Sequence, residues 1–226
     1  MSDKNHAAQM SRLIDIMASL RSPQGCPWDR EQTPESLKPY ILEEAYEVIE
    51  AIDSRDEREI CDELGDLLLQ VVFIAQIFTE RGDFDFGAVA DSIATKLIRR
   101  HPHVFGDADA ASHAQRWESI KQQERRERGK GDKLGERIPK TLPALKMATQ
   151  VAKKIEGPQP AALVDDIIHN IQKISSHSEA ETKPQLETAI GEILFGIVQV
   201  SNSRHLDAED VLRKKTMQVI AKIDAE

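Results

Sequence analysis

Residues 42–70, LEEAYEVIEAIDSRDEREICDELGDLLLQ, decide the fold. Glu43, Glu44 and Glu47 form an E-E-x-x-E pattern, and Glu63 with Asp66 forms E-x-x-D sixteen residues past Glu47. Residues three or four apart share one helix face, so each group makes a carboxylate patch. Between the groups, SRDERE at 54–59 is polar enough to turn the chain. Two antiparallel helices folded on that turn bring the patches face to face. Carboxylates so gathered repel one another and are pushed toward protonation unless a cation sits among them.

Glu44, Glu47, Glu63 and Asp66 would supply four carboxylates with no His or Cys. Such hard oxygen donors favour Mg²⁺ or Mn²⁺ over zinc, and the lack of a Glu-x-x-His pair separates them from ferritin-like di-iron sites. Magnesium completes its shell with water and phosphate oxygens, so the set points to phosphate-ester or phosphoanhydride chemistry. The plainer alternative is two solvated acidic faces, the usual meaning of a single E-x-x-E.

Working outward, helical spacing of Met10, Leu13, Ile14, Met17 and Leu20 predicts a first helix from about His6 to Arg21, broken by the Pro and Gly of residues 22–28. Ser36 is the expected N-cap of the next helix, with Pro39 in its first turn. Its packing residues are Ile41, Leu42, Ala45, Val48, Ile49 and Ile52. Asp56 followed by Glu59 marks another helix start. The apolar face of that helix comprises Ile60, Leu64, Leu67, Leu68, Val71, Val72, Ala75 and Phe78, and it ends at Gly82. Further helices are expected over about Phe86–Arg100 and Ser112–Arg128.

Across the 226 residues, 40% are apolar, 31% charged and 4% aromatic, as suits an all-α, charge-rich protein. A formal charge of −9 opposes a broad face for polymeric nucleic acid. No stretch approaches the roughly 18 apolar residues of a membrane span, and the N-terminus lacks a signal-type apolar core. Cys26 and Cys61 have no zinc-type spacing and read as packing residues. A reduced, cytoplasmic protein is the expectation.

Beyond residues 129–141, a Gly- and charge-rich linker, the chain repeats itself. Asp165-Asp166-x-x-His169 lies 122 positions after Glu43-Glu44-x-x-Glu47, and Ala189 and Glu192 lie 126 positions after Glu63 and Asp66. The second copy keeps the helical period, with Ala189 and His169 in place of two of the acids. The expected organisation is therefore a catalytic helical domain over 1–128 and a degenerate copy over 142–226, silent in catalysis and serving packing or regulation.

E-E-x-x-E followed by E-L-G-D-L-L resembles the motif pair of the MazG family of nucleoside triphosphate pyrophosphohydrolases. Likeness widens with GCPWDREQT (25–33), KLIRRHPHVF (96–105) and RWESIK (116–121), covering residues 10–128 in the family's order. The acidic pair alone would suggest only the wider all-α NTP pyrophosphatase group, which includes dimeric dUTPases. The resemblance implies tandem MazG-like bundles, a homodimer, and hydrolysis of an NTP or dNTP to the monophosphate and pyrophosphate. It implies that Glu44, Glu47, Glu63 and Asp66 ligate Mg²⁺, and that Glu43 holds or deprotonates the water. It also implies that Lys96, Arg99 and Arg100 meet the triphosphate, and that Trp117 and Lys121 contact the nucleotide. Chemistry agrees, since guanidinium groups neutralise phosphate oxygens in bidentate fashion and an indole stacks on any base. The simpler readings are a solvated, dipole-favoured helix end for the cations and a core anchor for Trp117. Trp28 reads as a loop anchor, and His101 and His103 as shaping the turn after the helix. The competing function is a non-catalytic helical regulator that binds a nucleotide or a protein; a dUTP-preferring hydrolase is a narrower variant of the enzyme.

Overall fold

The computed structural model describes residues 6–106, 113–127, 129, 133–155, 157, 159–175 and 182–225. Those residues form helices and loops and no strand. The chain divides into two compact units, Met1–Trp117 and Glu118–Glu226.

The first unit contains α1 (His6–Leu20), α2 (Pro27–Glu31), α3 (Lys38–Ser54), α4 (Glu57–Arg81), α5 (Phe86–Arg100) and α6 (Pro102–Phe105). Helix α7 (His113–Glu127) begins in it and runs on into the second. α4 is the hub, packing against α3, α1 and α5. Its apolar period explains why: Val72, Phe73 and Ile77 join Met17 of α1 and Leu37 in one buried cluster, with Leu13, Ile14, Leu68, Leu69 and Phe86 around it.

The α3–α4 turn is built by two local devices. Arg55 closes α3 in the left-handed region at φ 63°, and the Asp56 carboxylate caps α4 by accepting from the Arg58 and Glu59 amides at 2.8 and 3.4 Å. Gly82 ends α4 at φ 77°. Ser36 does not cap α3. Its hydroxyl accepts from the Thr33 amide and donates to the Gln32 side chain, and Leu37 takes the N-cap position without a side-chain cap. Competition from the nearer turn defeats the longer-range signal.

α3 also packs less than its apolar content predicts. Val48 and Ala51 are buried, whereas Leu42, Ile49 and Ile52 are exposed, as are Leu64 and Val71 on α4. An apolar band too wide for one neighbour leaves part of itself facing out.

The second unit holds α8 (Leu134–Arg137), α9 (Ala144–Ala152), α10 (Pro160–Ser175), α11 (Lys183–Ser203) and α12 (Ala208–Ile223). α10 packs on α11, and α9 on both α11 and α12. Helix α10 starts 122 residues after α3, α11 126 after α4, and α12 122 after α5. Asp207 caps α12 as Asp85 caps α5, and it also pairs with Lys146. Within the Gly-rich segment 129–141, residues 130–132 lie outside the described residues; 134–137 form α8 and Ile138 is buried.

Candidate metal centre

One carboxylate oxygen from each of Glu44, Glu63 and Asp66 lies within 4.8 Å of the others. The helix pair produces this. Glu44 faces α4 from the middle of α3, and Glu63 and Asp66 stand one turn apart on α4. Glu44 and Glu63 are half-buried and Asp66 is exposed, so the cluster opens to solvent on one side.

Partial burial, then the charges of Asp66 and Glu47 and contact with the Glu47 carboxyl, hold the Glu44 carboxyl above the usual carboxylate range. Glu63 is likewise raised, by desolvation first and then by Glu47 and Asp66, with Asp62 adding to it. Glu47 is exposed, contributes to raising both Glu44 and Glu63, and is not one of the three residues whose oxygens cluster. Carboxylates gathered as those of Glu44, Glu63 and Asp66 repel one another unless a proton or a cation lies between them. The donor set therefore fits a divalent cation bound through oxygen. Glu43 stands exposed beside Glu44 in sequence and is not one of the three clustered residues.

One turn beyond Asp66, the Gln70 side chain is buried and its Oε1 has no hydrogen-bond partner among the described residues. Asp62 is a residue that the motif reading passed over, whereas helical spacing already put Gln70 on one side of the helix with Glu63 and Asp66. Gln70 stands seven positions after Glu63, on the same face of α4.

α5 packs on α4 and carries Lys96, Arg99 and Arg100 in its last two turns. Lys96 and Arg100 are half-buried and Arg99 is exposed. The Arg100 guanidinium sits over the Trp117 ring at 5.2 Å, and His101 meets the same indole edge-on at 5.0 Å. Trp117 is thus part of an Arg–His–Trp cluster at the end of α5. Lys121, one turn further along α7, belongs to the second unit and lines a cavity there.

The loop ahead of α3 is pinned by a residue with no motif signal. Arg21, at the end of α1, holds both oxygens of Glu80 on α4 at 2.8 Å. It also donates to the Asp29 and Gln32 carbonyls, and its guanidinium lies 5.5 Å from the Phe73 ring centre. Trp28 meets Tyr40 edge-on at 6.1 Å, which anchors the same loop to α3.

Among the described residues no second set of three metal-capable side chains gathers. In the second unit Asp165, Asp166, His169 and Glu192 are exposed on α10 and α11.

Comparison with known proteins follows the same residues. The MazG nucleotide pyrophosphohydrolase domain matches residues 32–105, which contain the acidic hairpin and α5. The chain is 44% identical over 213 residues to the nucleoside triphosphate pyrophosphohydrolase/pyrophosphatase MazG of Thermotoga maritima, covering 92% of this chain and 81% of that protein. It is 40% identical over 217 residues to the nucleoside triphosphate pyrophosphohydrolase of Escherichia coli, covering 91% and 82%. A third relative, the nucleoside triphosphate pyrophosphohydrolase of Mycobacterium tuberculosis, is 32% identical over 185 residues, covering 79% and 55%. With its acidic hairpin matched and most of its length aligned, the chain belongs to the MazG family of nucleoside triphosphate pyrophosphohydrolases.

Proposed function

We propose that this chain hydrolyses nucleoside triphosphates to the monophosphate and pyrophosphate at the carboxylate cluster of its first unit, with Mg²⁺ as the cation held by Glu44, Glu47, Glu63 and Asp66. The observation that carries this reading is the convergence of Glu44, Glu63 and Asp66 oxygens within 4.8 Å. When bound, the cation would polarise the phosphoryl group and shield its charge.

The chain's own groups account for the rest. Glu43 accepts a proton from the attacking water, whose oxygen bonds to the α-phosphorus. The bond from that phosphorus to the bridging oxygen breaks, and pyrophosphate leaves with the electron pair. Lys96, Arg99 and Arg100 hold the phosphates in line, and Trp117 and Lys121 contact the nucleotide. Positioning and fixed charge then supply most of the rate. Mn²⁺ would serve in the same oxygen set.

The similar offsets of α10, α11 and α12 from α3, α4 and α5, 122, 126 and 122 residues, support a tandem duplication, and Ala189 and His169 in place of acids support a silent second copy. Exposed Leu42, Tyr46 and Ile49, recurring along one stripe of α3, support assembly as a homodimer. Among the described residues no helix is long and apolar enough to cross a membrane.

The test is direct. Purified protein with Mg²⁺ and a panel of NTPs and dNTPs should release pyrophosphate and monophosphate in equal amounts. Orthophosphate as the first product would overturn the assigned bond. The altered second copy favours the competing regulator, and nucleotide binding without any pyrophosphate released would decide for it.

A further inference from the structure

Trp28 is 50% exposed and its edge-on neighbour Tyr40 is 36% exposed, although indoles are on average well buried. The exposure is not looseness. The buried Arg21 guanidinium holds the loop through the Asp29 and Gln32 carbonyls. Arg30 donates to the Pro23 carbonyl at 3.0 Å, and the Gln32 side-chain amide donates to the carbonyl of Trp28 itself at 3.0 Å. A loop so pinned has other anchors than its indole, and it holds a still ring open to ligands. With their planes at 78°, Trp28 and Tyr40 form an L-shaped corner of two aromatic surfaces.

The corner lies beside the acidic cluster. Tyr40 stands four positions before Glu44 and seven before Glu47, on the same face of α3 and about 6 Å along its axis from Glu44. The apolar stripe that supports a homodimer lies elsewhere, since Leu42 and Ile49, two and nine positions from Tyr40, occupy the opposite side of the helix. Trp117, the other indole of the chain, is half-buried, with the Arg100 guanidinium 5.2 Å and the His101 ring 5.0 Å from its ring centre. Trp28 therefore has the more open ring.

We propose that the Trp28–Tyr40 corner is the stacking platform for the base of a nucleotide whose phosphates lie at the acidic cluster. It rests on the nucleoside triphosphate reading above and adds the residues that hold the base. Every base has a flat face, so such a platform accepts all of them and favours purines, whose fused rings cover more of the indole.

The experiment is calorimetric titration of the full chain in Mg²⁺ with uncleavable α,β-methylene analogues of ATP and CTP, and with sodium tripolyphosphate as the probe that lacks a base. Wild type should bind the ATP analogue more tightly than the CTP analogue. Trp28→Leu keeps apolar bulk without the flat ring, and should weaken the ATP analogue by about tenfold while leaving tripolyphosphate within about twofold of wild type. The two analogues should then bind almost alike. Trp28→Phe should recover most of the loss, whereas an anchoring role alone would be met by leucine and phenylalanine equally. In Trp117→Phe, where Trp28 is the remaining indole, the ATP analogue should quench emission and tripolyphosphate should not. Should Trp28→Leu not fold, Tyr40→Leu takes its place and should narrow the gap between the analogues in the same way. Unchanged analogue affinity in Trp28→Leu, or equal loss for analogue and tripolyphosphate, would overturn the platform, and pyrophosphate release by wild type would then leave the activity standing. A wild type that binds neither analogue would overturn both.

Discussion

Glu44 and Glu63 are held above the ordinary carboxylate range, by partial burial first and then by neighbouring acids. A carboxyl raised in the folded state binds its proton more tightly there than in the unfolded chain. Stability from these two groups is therefore gained as pH falls from neutrality and lost as pH rises through their folded values, above 4.5. Glu80 and Asp207 behave oppositely. Hydrogen bonds from Arg21 and Lys146 hold them below the ordinary values, so their contribution is present above 4.5 and 3.8 and is lost in more acid solution. In EDTA, calorimetry should show Glu44→Gln and Glu63→Gln with a higher Tm than wild type at pH 7 and a flatter profile from pH 7 down toward 4.5. With Mg²⁺ the order should reverse, because only wild type keeps the donor set whose occupancy stabilises the folded state. An unchanged Tm in both conditions would mean that the acids do not interact. Gln70→Leu should raise stability by about 1 kcal/mol in urea denaturation, because it removes a buried amide oxygen that no partner satisfies.

Between elements, Arg21 and Gly25 decide how α1 and its loop meet α4. Arg21 has a buried side chain that grips Glu80 on α4 and two carbonyls of the α2 segment. Arg21→Met should cost about 2–3 kcal/mol by chemical denaturation, the range of hydrogen bonds to charged groups. The emission of Trp28, anchored by the same loop, should shift with it. Gly25 is needed for close approach. A Cβ there would stand 2.1 Å from the Leu20 carbonyl oxygen, which already accepts the Cys26 amide at 2.8 Å. Gly25→Ala therefore forces the backbone apart and should destabilise by about 3 kcal/mol. Retained wild-type stability would show that this turn yields at no cost.

Across the molecule, the contrast is between the α3–α4 hairpin, whose acids cluster, and the α10–α11 pair, where among the described residues no such set gathers. Glu44→Gln or Asp66→Asn should remove nearly all pyrophosphate release, whereas Asp166→Asn should leave it within twofold of wild type. Equal loss from both halves would refute this division of labour. The exposed apolar residues Leu42, Ile49 and Ile52 of α3 and Leu64 and Val71 of α4 belong to this scale too.

Much of this was legible from residue order alone, because it depends on local physics. Helical periodicity placed α1, α3, α4 and α5 to within a few residues, Asp56 and Gly82 marked the limits of α4, and three- and four-residue spacing put Glu63 with Asp66 and Glu44 with Glu47 on common faces. The 122-residue echo was likewise visible in the chain. What tertiary structure decided are events between residues far apart in sequence: that Ser36 serves its own turn, that half of the apolar face of α3 stays uncovered, and that Arg21 reaches Glu80, 59 positions away. It also decided that Lys121, Arg137, Lys153 and Lys154, from separate segments, line one cavity. Local spacing settles which side of a helix a residue occupies; only packing settles what that side meets.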